Sequence, residues 1–168
     1  MKIVLIGFMG SGKTTIADSL AYKLKLELIE MDELALKKTE RKTINEIFKK
    51  DGEKSFRKLE YTVAREISNK DNVVISSGGG VVMDKSVMNH LTKNGFVIYL
   101  EANFGKIKER IALKRIKPPL FQDADKAKKL FDLRIPLYKA YANLVINTEN
   151  KTVDQIVKQI VKGLNGRK

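Results

Sequence analysis

The sequence predicts an α/β fold in which helices cover both faces of a five-stranded parallel sheet, giving a three-layer α/β/α sandwich. Short apolar runs alternate with segments of helical spacing, and a glycine-rich loop follows the first run. The 168 residues, 43% of them hydrophobic, suffice for one sizeable core. We therefore predict a single domain, residues 1–168. No apolar run approaches the ~18 residues of a membrane span.

Five short runs rich in β-branched residues predict the strands, because buried parallel strands are continuously hydrophobic. These runs are Ile3–Ile6, Leu26–Ile29, Val73–Ser76, Phe96–Leu100 and Leu144–Ile146.

Helices are predicted between the strands, where apolar residues recur three and four apart. One spans about Lys54–Ile67, and the last spans about Val153–Leu164, with Gly163 and Gly166 marking its end. Residues 32–70 are too many for one crossover helix. We expect several helices there, forming a side lobe.

The loop Gly7–Thr14 reads GFMGSGKT and matches the pattern G-x-x-x-x-G-K-[ST] at every fixed position. Glycines let its backbone N–H groups converge on phosphate oxygens, Lys13 reaches the β- and γ-phosphates, and the Thr14 hydroxyl can ligate Mg²⁺. A predicted strand precedes the loop and a predicted helix follows it. The sequence therefore predicts a nucleoside triphosphate site.

The formal net charge of +13 allows two interpretations. One is a nucleic-acid or membrane surface, and the other is a lysine-rich surface around a pocket for anionic substrates. Lysines are scattered over most predicted helices without forming one stripe, so we favour the second and expect no nucleic-acid or membrane partner. Cysteine is absent, and no signal-peptide pattern follows Met1. A cytoplasmic location is expected.

The residues that follow the strands narrow the class. The guanine-recognition and switch patterns of regulatory GTPases are absent, and Ser77 stands where a metal-binding aspartate often follows a strand. A second metal contact must come from elsewhere, and Glu30 and Asp32 are the candidates. Because ligands of open α/β sheets bind beyond the carboxyl ends of the strands, these carboxylates should lie near Gly7 and Gly78.

Three further features each have a plain structural explanation beside a functional one. Arg57 and Glu60 are an ordinary ion pair on one helix face, or part of a site. Arg134 lies near an apolar face, where it either extends to water or waits to grip a carboxylate with two hydrogen bonds. The run Gly78–Gly80 is a tight turn, or it lets a substrate approach the backbone closely.

Together these residues resemble the shikimate kinase family over almost the whole chain. The matching parts are Gly7–Thr15, Asp32, Glu46–Phe48, Asp51–Glu53, Phe56–Glu60, Ser77–Gly80, the segment at Pro118–Pro119 and Arg134–Tyr138. The resemblance implies a P-loop NTPase-like fold with strand order 2-3-1-4-5. It also implies a helical substrate-binding lobe at residues 32–62 and a lid at residues 113–125.

By the same resemblance the chain would be a monomeric enzyme of the shikimate pathway that moves the γ-phosphoryl group of ATP to the 3-hydroxyl of shikimate. The catalytic residues would be Asp32, as general base, and Lys13. Thr14, Asp32 and Glu30 would hold Mg²⁺. ATP would be bound by Gly10, Ser11, Gly12, Lys13, Thr14, Thr15, Arg110, Lys117 and Pro118. Shikimate would be bound by Asp32, Arg57, Gly78, Gly79, Gly80 and Arg134.

The chain departs from the family pattern at two functional positions. Glu30-Met31-Asp32 replaces the usual Asp-x-Asp, and the lid pattern Arg-Pro-Leu-Leu reads Pro118–Phe121, with proline in place of the phosphate-contacting arginine. We predict that Lys117 or Arg115 supplies the missing charge. Our hypothesis is that Lys117 substitutes in part, so that turnover is retained but lowered.

Three alternatives remain open from the sequence. The first is another P-loop kinase, such as a gluconate kinase or a nucleoside-monophosphate kinase. The second is a non-catalytic basic module that senses nucleotides or binds nucleic acid. The third is a catalytically impaired member of the same family, suggested by the lid alone.

Overall fold

A computed structural model describes residues 1–115 and 117–166. Its centre is a parallel sheet with strand order β2-β3-β1-β4-β5, which confirms the predicted fold class and strand order. The strands are β1 (Lys2–Ile6), β2 (Glu27–Glu30), β3 (Val73–Ser76), β4 (Gly95–Glu101) and β5 (Leu144–Asn147). Each overlaps its predicted run and differs from it by no more than one residue at either end.

Helices connect the strands and cover the sheet. They are α1 (Lys13–Leu24), α2 (Met31–Lys37), α3 (Ile44–Lys50), α4 (Glu53–Ile67), α5 (Lys85–Thr92), α6 (Phe104–Ala112), α7 (Ala124–Tyr141) and α8 (Val153–Asn165), with 3₁₀ turns at Val81–Met83 and Pro119–Phe121. Residues 32–70 contain α2, α3 and α4, so the expectation of several helices is confirmed. In the two described ranges, no helix combines the length and apolar character needed to cross a bilayer.

Side chains on alternate sides of β1 separate the core into two layers. Ile3 and Leu5 pack with the buried residues of α1 and α8, whereas Val4 and Ile6 pack with those of α4, α5 and α7. This is the alternation expected of a strand covered on both faces. The three-layer arrangement leaves the carboxyl edge of the sheet open.

The predicted end of α8 is confirmed to within one residue, with Gly166 as the C-cap residue, but the role of Gly163 differs from the prediction. Gly163 lies inside the helix, which continues to Asn165. A Cβ atom at Gly163 would lie 2.6 Å from Cδ2 of Leu144, so the glycine lets α8 pack closely against β5. The sequence suggested a helix end because glycine is common there, but here close packing is the reason for it.

Lys2, the first residue of β1, is buried and joins the sheet to two helix ends. Its Nζ donates to the carbonyl oxygen of Ser68 at 2.8 Å and to that of His90 at 3.3 Å. These carbonyls lie at the C-terminal ends of α4 and α5, where a positive charge is favourable. Burial lowers the pKa of the Lys2 ammonium.

We predict that Lys2→Met, which keeps the stem but removes the ammonium, lowers the free energy of unfolding by about 1–3 kcal/mol, because two carbonyls lose a charged donor. Urea denaturation measures this change. Lys23→Met, at an exposed site on α1, is the control and should be nearly neutral. Equal stability of the two variants would contradict the assigned role of Lys2.

Candidate active site

Two adjoining pockets occupy the carboxyl edge of the sheet. The loop pocket is formed around Gly10, Gly12, Lys13, Thr14 and Thr15, with Glu30 and Arg110 on its walls. The arginine pocket contains Arg57, Glu60 and Arg134 around the glycines that follow β3. The residues that line both pockets are Met9, Asp32, Ile44, Gly79, Pro118 and Pro119.

The loop between β1 and α1 has the backbone that the glycine motif predicts. Gly10 and Gly12 have φ values of 79° and 96°, which side chains disfavour, and Gly12 directly precedes the first turn of α1. The free N–H groups of that turn make a site for an anion. A Cβ atom at Gly10 would also lie 3.1 Å from Cγ1 of Ile111, so α6 packs tightly on the loop.

Lys13 is buried at the base of the loop pocket. Its Nζ donates to the carbonyl oxygens of Gly7 at 2.8 Å and Phe8 at 3.0 Å. Burial lowers the pKa of Lys13 to about 8, although the carboxylates of Asp32 and Glu30 oppose the shift. The ammonium is therefore poorly compensated until an anion enters the pocket.

Glu30 and Asp32 bring two carboxylates beside the loop. The Thr14 hydroxyl donates to Oε2 of Glu30 at 3.4 Å, and Oε1 of Glu30 is buried without a hydrogen-bond partner. Burial raises the pKa of both carboxyls, and the charges of Lys13 and Arg57 oppose that shift at Asp32. Carboxylate and hydroxyl oxygens are ligands that Mg²⁺ prefers, so the residues present fit this ion.

The described residues hold no cluster of three His, Cys, Asp or Glu side chains that could enclose a metal by themselves. An ion between Thr14 and Glu30 would therefore need water and phosphate oxygens to complete its shell. Mg²⁺ is commonly bound in this way, with a few protein ligands and substrate phosphates.

Arg57 does more than form an exposed ion pair. Its Nη1 donates to Oε2 of Glu60 at 2.5 Å, and its Nε and Nη2 donate to Oε1 of Glu53 at 3.2 and 2.7 Å. Glu60 is buried, and burial raises the pKa of its carboxyl against the opposing charge of Arg57. The two carboxylates thus hold the Arg57 guanidinium at the wall of the arginine pocket.

The glycines after β3 make room for these side chains. A Cβ atom at Gly78 would lie 2.3 Å from Oε1 of Glu60 and 3.1 Å from Oδ1 of Asp32. At Gly80 it would lie 2.3 Å from Nη1 of Arg57. The absence of side chains at Gly78 and Gly80 therefore lets Glu60 and Arg57 approach the backbone of this turn closely.

Arg134 is buried, with 2% of its surface exposed, which excludes the alternative that it extends to water. Its Nη1 donates to the carbonyl oxygen of Gly79 at 3.3 Å, and its guanidinium lies 5.6 Å from the centre of the Phe8 ring. Nε has no hydrogen-bond partner, and burial lowers the pKa of the group. A buried guanidinium with an unused donor is suited to an anionic ligand.

Tyr138 is a site residue to which sequence reasoning assigned no role. It lies one helical turn after Arg134, stacks on Tyr99 with 5.1 Å between ring centres, and donates its hydroxyl to the same carbonyl of Gly79. The turn is thus held by two donors from α7. The spacing Arg134-x-x-x-Tyr138 on one helix face was the available signal.

The lid segment only partly follows the prediction. Pro118 lines both pockets, but Lys117 and Arg115 are exposed and line neither. The Lys117 carbonyl accepts a hydrogen bond from Nδ2 of Asn45 at 3.0 Å. Lys114, which was not predicted, lines the loop pocket. The ATP contacts of Lys117 and Pro118 stay predictions.

Arg110 also lines the loop pocket, as its predicted role in ATP binding requires. Its Nη1 donates to the carbonyl oxygens of Gly10 and Ser11, both at 3.3 Å. The side chain is therefore engaged with the loop backbone and is not a freely solvated charge. A direct contact between Arg110 and ATP stays a prediction.

Comparison with known proteins assigns the family. The model of the shikimate kinase family matches residues 9–165. The chain belongs to the shikimate kinase family. Shikimate kinase of Sulfurihydrogenibium sp. is 37% identical, with 99% of each chain covered. That of Francisella philomiragia is 43% identical, covering 95% of this chain and 92% of its own.

Comparison with solved structures supports the same family assignment. The enzyme of Acinetobacter baumannii, in complex with shikimate, has a TM-score of 0.93 and 30% identity over 99% of this chain and 94% of its own. A gluconokinase of Sinorhizobium meliloti, 16% identical with a TM-score of 0.70 over 98% of this chain and 91% of its own, shares the fold alone. The predicted family and enzyme class are confirmed, whereas the roles of individual site residues stay predictions.

We predict that ATP binding takes up protons near pH 8. Lys13 is about half neutral at that pH, and a triphosphate favours its charged form, so about 0.5 proton should be taken up per ATP. For the same reason ATP affinity should fall as the pH rises above 8.

Calorimetric titration of the enzyme with MgATP, in two buffers of different ionisation enthalpy, measures this uptake. Lys13→Met should abolish it, and Lys23→Met should retain it. An uptake of zero by the unsubstituted chain at pH 8 would contradict the lowered pKa of Lys13.

Proposed function

We propose that this chain transfers the γ-phosphoryl group of ATP to the 3-hydroxyl of shikimate, yielding ADP and shikimate 3-phosphate. The observation that carries the proposal is that Asp32 lies where the loop pocket meets the arginine pocket. A phosphoryl donor in the first pocket and a hydroxyl acceptor in the second would meet at this carboxylate.

The arginine pocket suits a small acid. Arg134 offers the unpaired Nε, and Arg57 is already held in place by Glu53 and Glu60. Two guanidinium groups near one turn can bind a carboxylate with charge-assisted, paired hydrogen bonds. The shikimate carboxylate would bind here, with its ring against the apolar walls of Phe48, Phe56 and Leu120.

The acceptor hydroxyl would then hydrogen-bond to Asp32. Burial raises the pKa of this carboxyl against the opposing charges of Lys13 and Arg57, and a raised pKa makes its carboxylate a stronger base for the hydroxyl proton. The hydroxyl oxygen forms a bond to the γ-phosphorus while the bond from that phosphorus to the bridging oxygen of ADP breaks. Lys13 and the N–H groups of the loop offset the charge on the transferred group.

Thr14, Glu30 and Asp32 are the residues that would hold Mg²⁺, which when bound shields the charge of the β- and γ-phosphates. The unpaired Oε1 of Glu30 beside the Thr14 hydroxyl supports this assignment. The replacement of aspartate by Glu30 is then tolerated, because the longer side chain still reaches the loop.

We assign residues 32–62 as the substrate-binding lobe and residues 113–125 as the lid. The hydrogen bond from Asn45 to the Lys117 carbonyl joins the two segments, and Pro118 and Pro119 line both pockets. A lid in this position excludes water from the transferred phosphoryl group. The monomeric state and the cytoplasmic location remain predictions from the sequence.

Asp32→Asn should lower shikimate-dependent turnover about 10²- to 10⁴-fold, because the amide cannot accept the hydroxyl proton. ADP release with MgATP and shikimate measures this, and Asp18→Asn, exposed on α1, is the control. Survival of turnover in Asp32→Asn would remove the assigned role of Asp32. A wild-type response to gluconate or a nucleoside monophosphate, and none to shikimate, would overturn the substrate.

Arg134→Lys should raise KM for shikimate about ten- to a hundredfold, because lysine is a point charge without the paired donors of guanidinium. We expect KM for ATP to stay nearly unchanged. Steady-state kinetics measure both constants, thermal unfolding verifies the fold, and Arg65→Lys on the exposed face of α4 is the control. An unchanged KM for shikimate would exclude Arg134 from carboxylate binding.

A further inference from the structure

Lys114 lies in the turn that follows α6 and lines the loop pocket. Its amide donates to the carbonyl oxygen of Ile111 at 3.0 Å, which fixes the backbone just beyond the end of α6. Arg110, on α6, lines the same pocket. Two cations therefore lie on this side of the loop pocket.

The two cations differ in what they bind. The Arg110 guanidinium donates to the carbonyls of Gly10 and Ser11. The Lys114 ammonium has no hydrogen-bond or ion-pair partner in residues 1–115 and 117–166. Its charge nevertheless acts on Lys13, since it adds to the effect of burial in lowering the pKa of that lysine. The charge of Lys114 therefore acts on the part of the loop pocket that the phosphates would occupy.

The lid offers no better-placed cation among its described residues. Arg115 and Lys117 are exposed, as Lys114 is, but they line neither pocket, and Pro118 lines both but carries no charge. The hydrogen bond from Asn45 holds the Lys117 carbonyl against the substrate-binding lobe.

We propose that Lys114 is the cation that contacts the triphosphate of ATP from the lid side, opposite Lys13. Lys114 would then supply the positive charge of the missing lid arginine, a role that the family resemblance led us to expect of Lys117. This inference rests on the proposed phosphoryl transfer from ATP but does not depend on the identity of the acceptor. The ammonium is a compact point charge that suits phosphate oxygens from any direction.

The test compares three single variants of the full chain: Lys114→Ala, Lys117→Ala and Lys108→Ala. Lys108 is exposed on α6 and lines neither pocket, so it serves as the control. Calorimetric titration with MgATP in the absence of shikimate measures affinity, and ADP release with shikimate measures kcat and both KM values.

We expect Lys114→Ala to weaken MgATP binding about tenfold, as loss of a charged hydrogen bond does. Lys108→Ala should stay within about twofold of wild type, and Lys117→Ala should lose less affinity than Lys114→Ala. Lys114→Arg should restore most of the affinity, and KM for shikimate should not change. Because removal of the Lys114 charge raises the pKa of Lys13, proton uptake at pH 8 should also decrease.

Wild-type affinity in Lys114→Ala, or a larger loss in Lys117→Ala, would overturn the inference. If wild type binds MgATP but shows no turnover with shikimate, the proposed function fails. The affinities of the three variants still decide the role of Lys114 in that case, so the two failures are distinguishable.

Discussion

The site depends on one buried interaction, in which α7 holds the turn that follows β3. Arg134 and Tyr138 both donate to the carbonyl oxygen of Gly79, and the Arg134 guanidinium lies over the ring of Phe8 in the P-loop. This arrangement joins the glycine turn to the loop between β1 and α1, where the two pockets adjoin. A buried guanidinium is costly unless it is paired, and the unused Nε leaves that cost to be offset by a bound anion.

The loop pocket likewise contains a buried cation whose cost a bound anion would offset. Lys13 is buried, and two carbonyls hold it before any phosphate is present. Both pockets thus contain a desolvated cation whose best partner is a ligand. Asp32 lines both pockets, and the charges of Lys13 and Arg57 act on its carboxyl group. Binding of one anion in each pocket would offset the unfavourable charge of the buried cation there. The same binding would hold the two ligands in the arrangement that the reaction requires.

Local rules explain what could be predicted from the sequence. The loop Gly7–Thr14 and the five strands follow from glycine spacing and apolar runs, and the structure confirms the strands and their order. Two features that depend on tertiary contacts were not predicted correctly, namely the role of Gly163 and the position of Lys114. Gly163 allows α8 to lie close to Leu144, and Lys114, in the turn after α6, lines the loop pocket. Neither contact leaves a local pattern in the sequence.

The most direct test of the proposed mechanism is a crystal structure of the chain with shikimate, Mg²⁺ and a non-hydrolysable ATP analogue. We expect the shikimate carboxylate to lie within hydrogen-bond distance of Arg134. We also expect the 3-hydroxyl to lie between Asp32 and the γ-phosphate. A carboxylate bound away from Arg134, or a 3-hydroxyl that does not contact Asp32, would contradict it.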